Sequence, residues 1–239
     1  MKAAIPDNEN ARLKALSAYD ILDTKAESAY DDITFVASAI CKTPISVMSL
    51  VDKDRQWFNS HLGLSTTETP RDQAFCAHTI LQDEPLVVTN ALADERFADS
   101  TLVTGETQIR FYAGVPLITN EGFSLGSLCV IDRKPRTLDE SQINALKALG
   151  RQVMILLEFR RVARTLAEEM REVKTLSGLL PICAFCKGIR NDKGYWVQVE
   201  EYIKTHSDAR FTHGVCQECG KKHYPQSVLP PDRKAGGSN

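Results

Sequence analysis

Four of the seven cysteines fall as two identically spaced pairs, Cys183-Ala184-Phe185-Cys186 and Cys216-Gln217-Glu218-Cys219. A two-residue gap lets both sulfurs of a pair turn toward one point, so two pairs supply a tetrahedral set of sulfur ligands. Such a set suits Zn2+, with Zn–S bonds of ~2.3 Å. The expectation is one structural zinc on Cys183, Cys186, Cys216 and Cys219. A thiol redox switch and an iron–sulfur site are the alternatives. His206, His213 and His223 share the segment, but four sulfurs complete the set, so these read as ordinary polar or outer-sphere residues.

Around the pairs, residues 187–190, a turn at 191–194 and residues 195–199 predict a β-hairpin, and residues 200–205 a short helix. The apolar content is thin: Ile182, Phe185, Ile189, Tyr195, Trp196, Val199, Tyr202, Ile203 and Phe211. A segment this short with so small a core needs a staple, which a structural zinc commonly supplies. The other cysteines, Cys41, Cys76 and Cys129, sit in two helical stretches and a strand with apolar neighbours, and read as buried, inert thiols.

A chain of 239 residues holds one ordinary domain and an appendage, or two small domains. The net charge of -2, with both signs spread along the chain, gives no electrostatic case for nucleic acid or an anionic membrane. In the cysteine segment, four thiolates on one Zn2+ would offset most of the local excess of Lys and Arg, which also argues against nucleic acid. Residues 1–10 lack a signal-like apolar core, and the apolar run 153–157 is far short of the ~20 residues a membrane span needs. The expected location is the cytoplasm, where thiols stay reduced.

The elements before the cysteine pairs alternate in type. Leu13, Leu16, Ile21 and Leu22 predict a short amphipathic helix, and residues 27–41 a second one that Pro44 ends. Residues 45–51 alternate as a strand, Asp52-Lys53-Asp54 turns, and residues 56–62 return. Residues 72–81 predict a helix with Asp72 as N-cap. A short strand at 86–88 and two strands at 110–118 and 125–131, joined at Asn120-Glu121-Gly122, complete an α+β fold with an antiparallel sheet flanked by helices.

From Leu138 the pattern becomes one long helix. Leu146, Leu149, Val153 and Leu156 keep three/four spacing, which resumes at Phe159, Val162, Leu166, Val173, Leu176 and Leu180. The narrow stripe predicts a parallel coiled-coil homodimer, interrupted at Glu169. The tail from Pro230 lacks apolar residues beyond Ala235 and reads as disordered. The expected divisions are residues 5–137, 138–180, 181–225 and 226–239.

Several separated blocks resemble a GAF domain of the type found in front of bacterial diguanylate cyclase and histidine kinase modules. They include Tyr19-Asp20-Ile21-Leu22-Asp23, Ser49-Leu50-Val51-Asp52, Glu68-Thr69-Pro70-Arg71-Asp72, Phe75-Cys76-Ala77-His78, Arg110-Phe111-Tyr112-Ala113-Gly114 and Leu125-Gly126-Ser127-Leu128-Cys129. The resemblance implies a sensory fold whose pocket lies between the sheet and the crossover helices. There, Arg71 and Arg110 would meet an anionic ligand, Phe75 and Tyr112 would stack on a planar one, and His78 stands beside them. An arginine paired with Asp72 or Asp99, and a His78 satisfied by backbone, are the structural alternatives. Residues 170–225 resemble a cysteine-rich C-terminal module attached to bacterial receiver and sensor domains.

Bilin attachment is disfavoured, because Cys76 is followed by Ala77 rather than by histidine. Methionine sulfoxide reduction is disfavoured by the scatter of Cys41, Cys76 and Cys129. No phosphate-binding Gly-rich loop, nucleophile elbow or H-E-x-x-H helix occurs. The resulting expectation is a non-enzymatic sensory protein. Its GAF domain binds a small ligand and signals through the helix to a zinc module that engages a signalling partner protein. The alternative is a thiol-based redox sensor or reductase using the cysteine pairs.

Overall fold

The computed structural model describes residues 2–172, 180–191, 193–207 and 209–225. The chain opens with α1 (Glu9–Ala18) and α2 (Ser28–Cys41), followed by the hairpin β1 (Ile45–Val51) and β2 (Arg55–Leu62). A crossover carries β3 (Glu68–Pro70), a 3-10 turn at Arg71–Gln73, α3 (Phe75–Thr79), β4 (Leu86–Val88) and α4 (Thr101–Thr104). Then come β5 (Phe111–Ile118), β6 (Ser124–Asp132) and α5 (Glu140–Glu172). The six strands form one sheet in the order β3-β2-β1-β6-β5-β4, antiparallel at every pairing.

β1 and β6 are buried along their whole length, because both faces of the sheet are covered. Side chains alternate between those faces, as the two-residue period of a strand requires. Met48, Leu50, Trp57, Phe111, Ala113 and Val115 join Leu16, Tyr30, Ala37, Leu146, Val153 and Leu157 in one core, under α1, α2 and α5. Val47, Phe58, Tyr112, Cys129 and Ile131 face the other way and join Phe75, Cys76, Phe97 and Val103 in a second core under the crossover. Gly150 lets α5 press onto β5, since a Cβ there would stand 2.8 Å from Val115 Cγ2.

Three local expectations are corrected. The helix expected over 72–81 is split: Ala74 is extended (φ -79°, ψ 125°), and it, rather than Asp72, caps α3. The cause is tertiary, because Arg71 N–H is tied to Asp54 O at 3.0 Å, which holds the chain in the 3-10 turn. The first helix stops at Ala18, and Asp20 and Asp23 take φ of 45° and 59°, so Ile21 enters the core from a turn. β3 and α4 have no counterpart in the sequence reading.

The chain divides into two compact units, one ending at Leu166 and one beginning at Ala167. In the second unit, β7 (Ile189–Arg190) pairs with β8 (Trp196–Val197), and α6 (Val199–His206) and α7 (Gln217–His223) follow. Asn191 Oδ1 accepts N–H from Lys193 and Tyr195 at 3.1 and 2.9 Å, and Gly194 takes φ 85° to close this turn. Of the apolar residues expected to form its core, Ile189 and Tyr202 are buried, whereas Phe185 is 96% exposed and Tyr195 70%. Among the described residues this unit therefore has almost no core. Val173, Leu176 and the tail from 226 onward lie outside the described residues.

Candidate functional site

A cavity of about 50 Å³ lies between the sheet and the crossover. β1 contributes Val47, β2 contributes Gln56 and Phe58, β5 contributes Tyr112, and β6 contributes Cys129 and Ile131. α3 closes it with Phe75 and Cys76, and Thr69 reaches in from β3. The aromatic wall is preorganised: Phe75 stacks on Phe97 with centroids 4.0 Å apart and on Tyr112 at 5.1 Å.

The polar part of the wall is a chain of small groups. Tyr112 Oη lies 2.6 Å from Thr79 Oγ1 and 3.3 Å from Ser127 Oγ, and donates to Cys76 Sγ at 3.4 Å. Cys76 Sγ and Cys129 Sγ are 3.9 Å apart. Gly114 makes room for the tyrosine, since a Cβ there would stand 2.2 Å from Tyr112 Oη. Burial raises the Cys76 thiol, but the polar groups around it, Cys129 first, outweigh burial and bring the thiol below its ordinary range. Cys129 moves up, first through its contact with Cys76 and then through burial. Two acceptors in the wall are unsatisfied: Gln56 Oε1 and Thr69 Oγ1 are buried without a hydrogen-bond partner. Native interiors rarely leave such atoms unpaired.

The five residues expected to bind a ligand separate into different surroundings. Phe75 and Tyr112 line the cavity. Arg71 is buried elsewhere, donating to Glu9 at 2.5 Å and to the carbonyls of Asp52 and Lys53. Arg110 donates to Val103 O and Ile109 O at 2.7 and 3.0 Å. His78 packs edge-on against Phe97 at 4.8 Å. The anion site expected of the two arginines is thus corrected, because both guanidiniums are already committed to carboxylate or carbonyl oxygens. Sequence reasoning missed Gln56, Thr69 and the contact between Cys76 and Cys129. Parity gave a signal for the first, since Gln56 and Phe58 share a face of β2.

A wider groove, about 650 Å³, runs between β5 and α5. It is open; Lys147 pairs there with Glu84 at 2.7 Å, and Glu158 with Arg161 at 3.0 Å. It contains no counterpart to the unsatisfied acceptors of the smaller cavity.

In the second unit, the N–H groups of Cys186 and Phe185 lead the contacts that hold the Cys183 thiol below its usual range. Cys219 N–H approaches Cys216 Sγ at 3.5 Å at the start of α7. The two pairs are not gathered: no group of three or more His, Cys, Asp or Glu side chains able to hold a metal occurs among the described residues.

The fold and cavity define a GAF domain. Residues 25–157 match the GAF domain family, and the chain belongs to it. The chain is 42% identical over 150 residues to a cyclic di-GMP phosphodiesterase of Pseudomonas aeruginosa, covering 62% of this chain and 26% of that protein. It thus spans about a quarter of that relative's length. Among solved structures, the GAF domain of an Acinetobacter phosphoenolpyruvate-protein phosphotransferase aligns at 17% identity and TM-score 0.48, covering 65% of this chain and 98% of that one. Free methionine-R-sulfoxide reductase of Neisseria meningitidis aligns at 17% and TM-score 0.48, covering 68% of this chain and 98% of that one.

The expectation of a non-enzymatic protein is corrected by these matches, since a relative 42% identical over the shared region carries an enzyme's name. The inference from missing motifs was unsound on physical grounds. Groups that converge in a cavity, as Cys76, Tyr112 and Cys129 do, need no contiguous signature. No helix among the described residues is long and apolar enough to cross a membrane.

Proposed function

We propose that the first unit is the sensory part of a signalling protein and binds a small, largely apolar molecule in the cavity between the sheet and the crossover. The observation that carries this reading is the pair of unsatisfied acceptors, Gln56 Oε1 and Thr69 Oγ1, in an otherwise aromatic and aliphatic wall. A small ligand with an N–H or O–H donor would satisfy them while packing against the apolar wall. The region shared with the Pseudomonas phosphodiesterase would then be a sensing region.

Binding changes the domain only as far as the ligand prefers one arrangement over another. In our reading α5 carries that change, because its first turns pack on the sheet through Leu146, Val153 and Leu157. A parallel homodimer through the outer face of α5, a zinc that draws the cysteine pairs of the second unit together, and a signalling partner protein complete the proposal. The nearly coreless second unit supports the zinc, since such a fold needs a staple.

The test is a thermal-shift comparison of the wild-type chain and Gln56→Leu with pyrazole and imidazole as probes. At least one probe should raise the wild-type melting temperature, and Gln56→Leu should lose that rise while folding normally. No shift with any probe, or an equal shift in the variant, rejects the cavity as the binding site.

A further inference from the structure

Cys76 and Cys129 are 53 positions apart in sequence, yet their sulfurs stand 3.9 Å apart in the wall of one cavity. Both are buried. We propose that this pair is a peroxide-responsive dithiol, oxidised within the cavity to an intramolecular disulfide. The inference goes beyond the ligand reading and holds whether or not an organic ligand binds.

The geometry supports each step. A disulfide requires an S–S distance of about 2.05 Å, so the sulfurs must close by roughly 2 Å, a displacement within reach of side-chain rotation and a small helix shift. Cys129 lies on β6, which is fixed between β1 and β5. Cys76 lies on α3, which has only five residues and is the element free to follow. Tyr112 O–H donates to Cys76 Sγ, which stabilises the thiolate that must attack.

The chemistry balances with hydrogen peroxide as the oxidant. The Cys76 thiolate attacks one peroxide oxygen, the O–O bond breaks, and the departing hydroxide takes the proton released by the thiol, giving sulfenic acid and water. Cys129 sulfur then attacks Cys76 sulfur and expels its oxygen as a second water, with the Cys129 proton. Two thiols lose two electrons and peroxide gains them.

Cavity size sets the selectivity. A volume of about 50 Å³ accommodates a few water-sized molecules, each needing roughly 10–15 Å³, so hydrogen peroxide fits. Glutathione disulfide is far too large. Closing the disulfide would draw α3 toward the sheet and shift Phe75 from its stacks on Phe97 and Tyr112, altering the cavity itself.

The experiment exposes the native full chain to hydrogen peroxide or to glutathione disulfide, then alkylates remaining thiols under denaturing conditions and maps the peptides. The expected result with peroxide is a reductant-reversible link between the Cys76 and Cys129 peptides and loss of both alkylatable thiols. Cys41, buried alone with its thiol pushed up to about 11 by burial, should remain alkylatable and serves as the internal control. Glutathione disulfide should leave Cys76 and Cys129 unlinked while modifying exposed Cys186. In Cys129→Ala, if folded by circular dichroism, Cys76 should instead be trapped as a dimedone adduct; Cys76→Ala should give no adduct at Cys129. The proposal is overturned if peroxide oxidises Cys186 while Cys76 and Cys129 remain thiols. It is equally overturned if Cys76 proceeds to sulfinic acid without linking in the wild-type chain, or if Cys41 oxidises as fast as Cys76.

Discussion

Arg71 and Glu9, 62 positions apart in sequence, are joined by hydrogen bonds of 2.5 and 3.2 Å. Arg12 holds the same carboxylate at 2.9 Å and donates to Val51 O at 2.7 Å. One buried cluster thus ties α1, the end of β1 and the turn before α3. Burial raises the Glu9 carboxyl, but the two guanidiniums outweigh it and lower the group to about 2. A depressed carboxylate contributes stability that is complete above its unfolded range and is lost as pH falls toward its folded value. The first unit should therefore lose stability between about pH 5 and pH 2. Glu9→Gln should be less stable by about 2–3 kcal/mol at neutral pH, with the gap closing toward pH 2. Urea unfolding across that range checks this, and a gap independent of pH would show that Glu9 does not titrate this way.

Gly114 supports the polar chain of the cavity from the neighbouring position on its own strand face. Gly114→Ala forces Tyr112 to move, and a loss of about 1–3 kcal/mol is expected from such overpacking. Gly214→Ala, where a Cβ meets nothing within 4 Å, should be near neutral and serves as the comparison. Equal melting temperatures for the two variants would mean that Tyr112 adjusts freely.

α5 carries apolar side chains on two faces. Leu146, Val153 and Leu157 are buried against the sheet, while Ile155, Phe159, Val162, Leu166 and Met170 are between 55% and 73% exposed. The outer set keeps three/four spacing, the pattern of a two-helix seam. Sedimentation velocity should give a dimer for the wild type and a monomer for Phe159→Glu/Leu166→Glu. Glu169→Leu should tighten the dimer by removing a charge from the seam. A monomeric wild type, or a double variant of unchanged mass, refutes the seam.

Elemental analysis of protein purified without added metal should find close to one zinc per chain, and Cys183→Ser should lose it. The same substitution should raise hydrogen exchange in residues 181–225 while leaving residues 25–157 protected. Iron in place of zinc, or metal-free protein with an equally protected second unit, defeats the zinc proposal.

Much of the sheet was legible because strands such as residues 45–51 and 125–131 advertise themselves through alternation or continuous apolar character. The stop of the first helix was not, because Asp20 and Asp23 adopt positive φ for reasons set by the core that receives Ile21. The broken helix at Ala74 was hidden for a related reason, since the tie from Arg71 to Asp54 spans the hairpin and outweighs local helical preference. At the site, Phe75 and Tyr112 were legible through the order of their blocks. The assignment of Arg71 to a ligand failed because residue type reveals a charge but not the partner that neutralises it. The Cys76–Cys129 contact needed the fold itself, with one residue on a crossover helix and the other on a central strand.

The alternation along β5 divides labour between adjacent residues. Tyr112 faces the cavity, whereas Phe111 and Ala113 on either side face the α5 core. Exchanges at cavity positions can therefore reshape the cavity while sparing the surface that seats the helix. Single-residue insertions or deletions within the strand have no such freedom, because they would swap the two sets at once. The length of β5 is thus a constraint shared by both cores, whereas the identity of a residue on one face concerns only one of them.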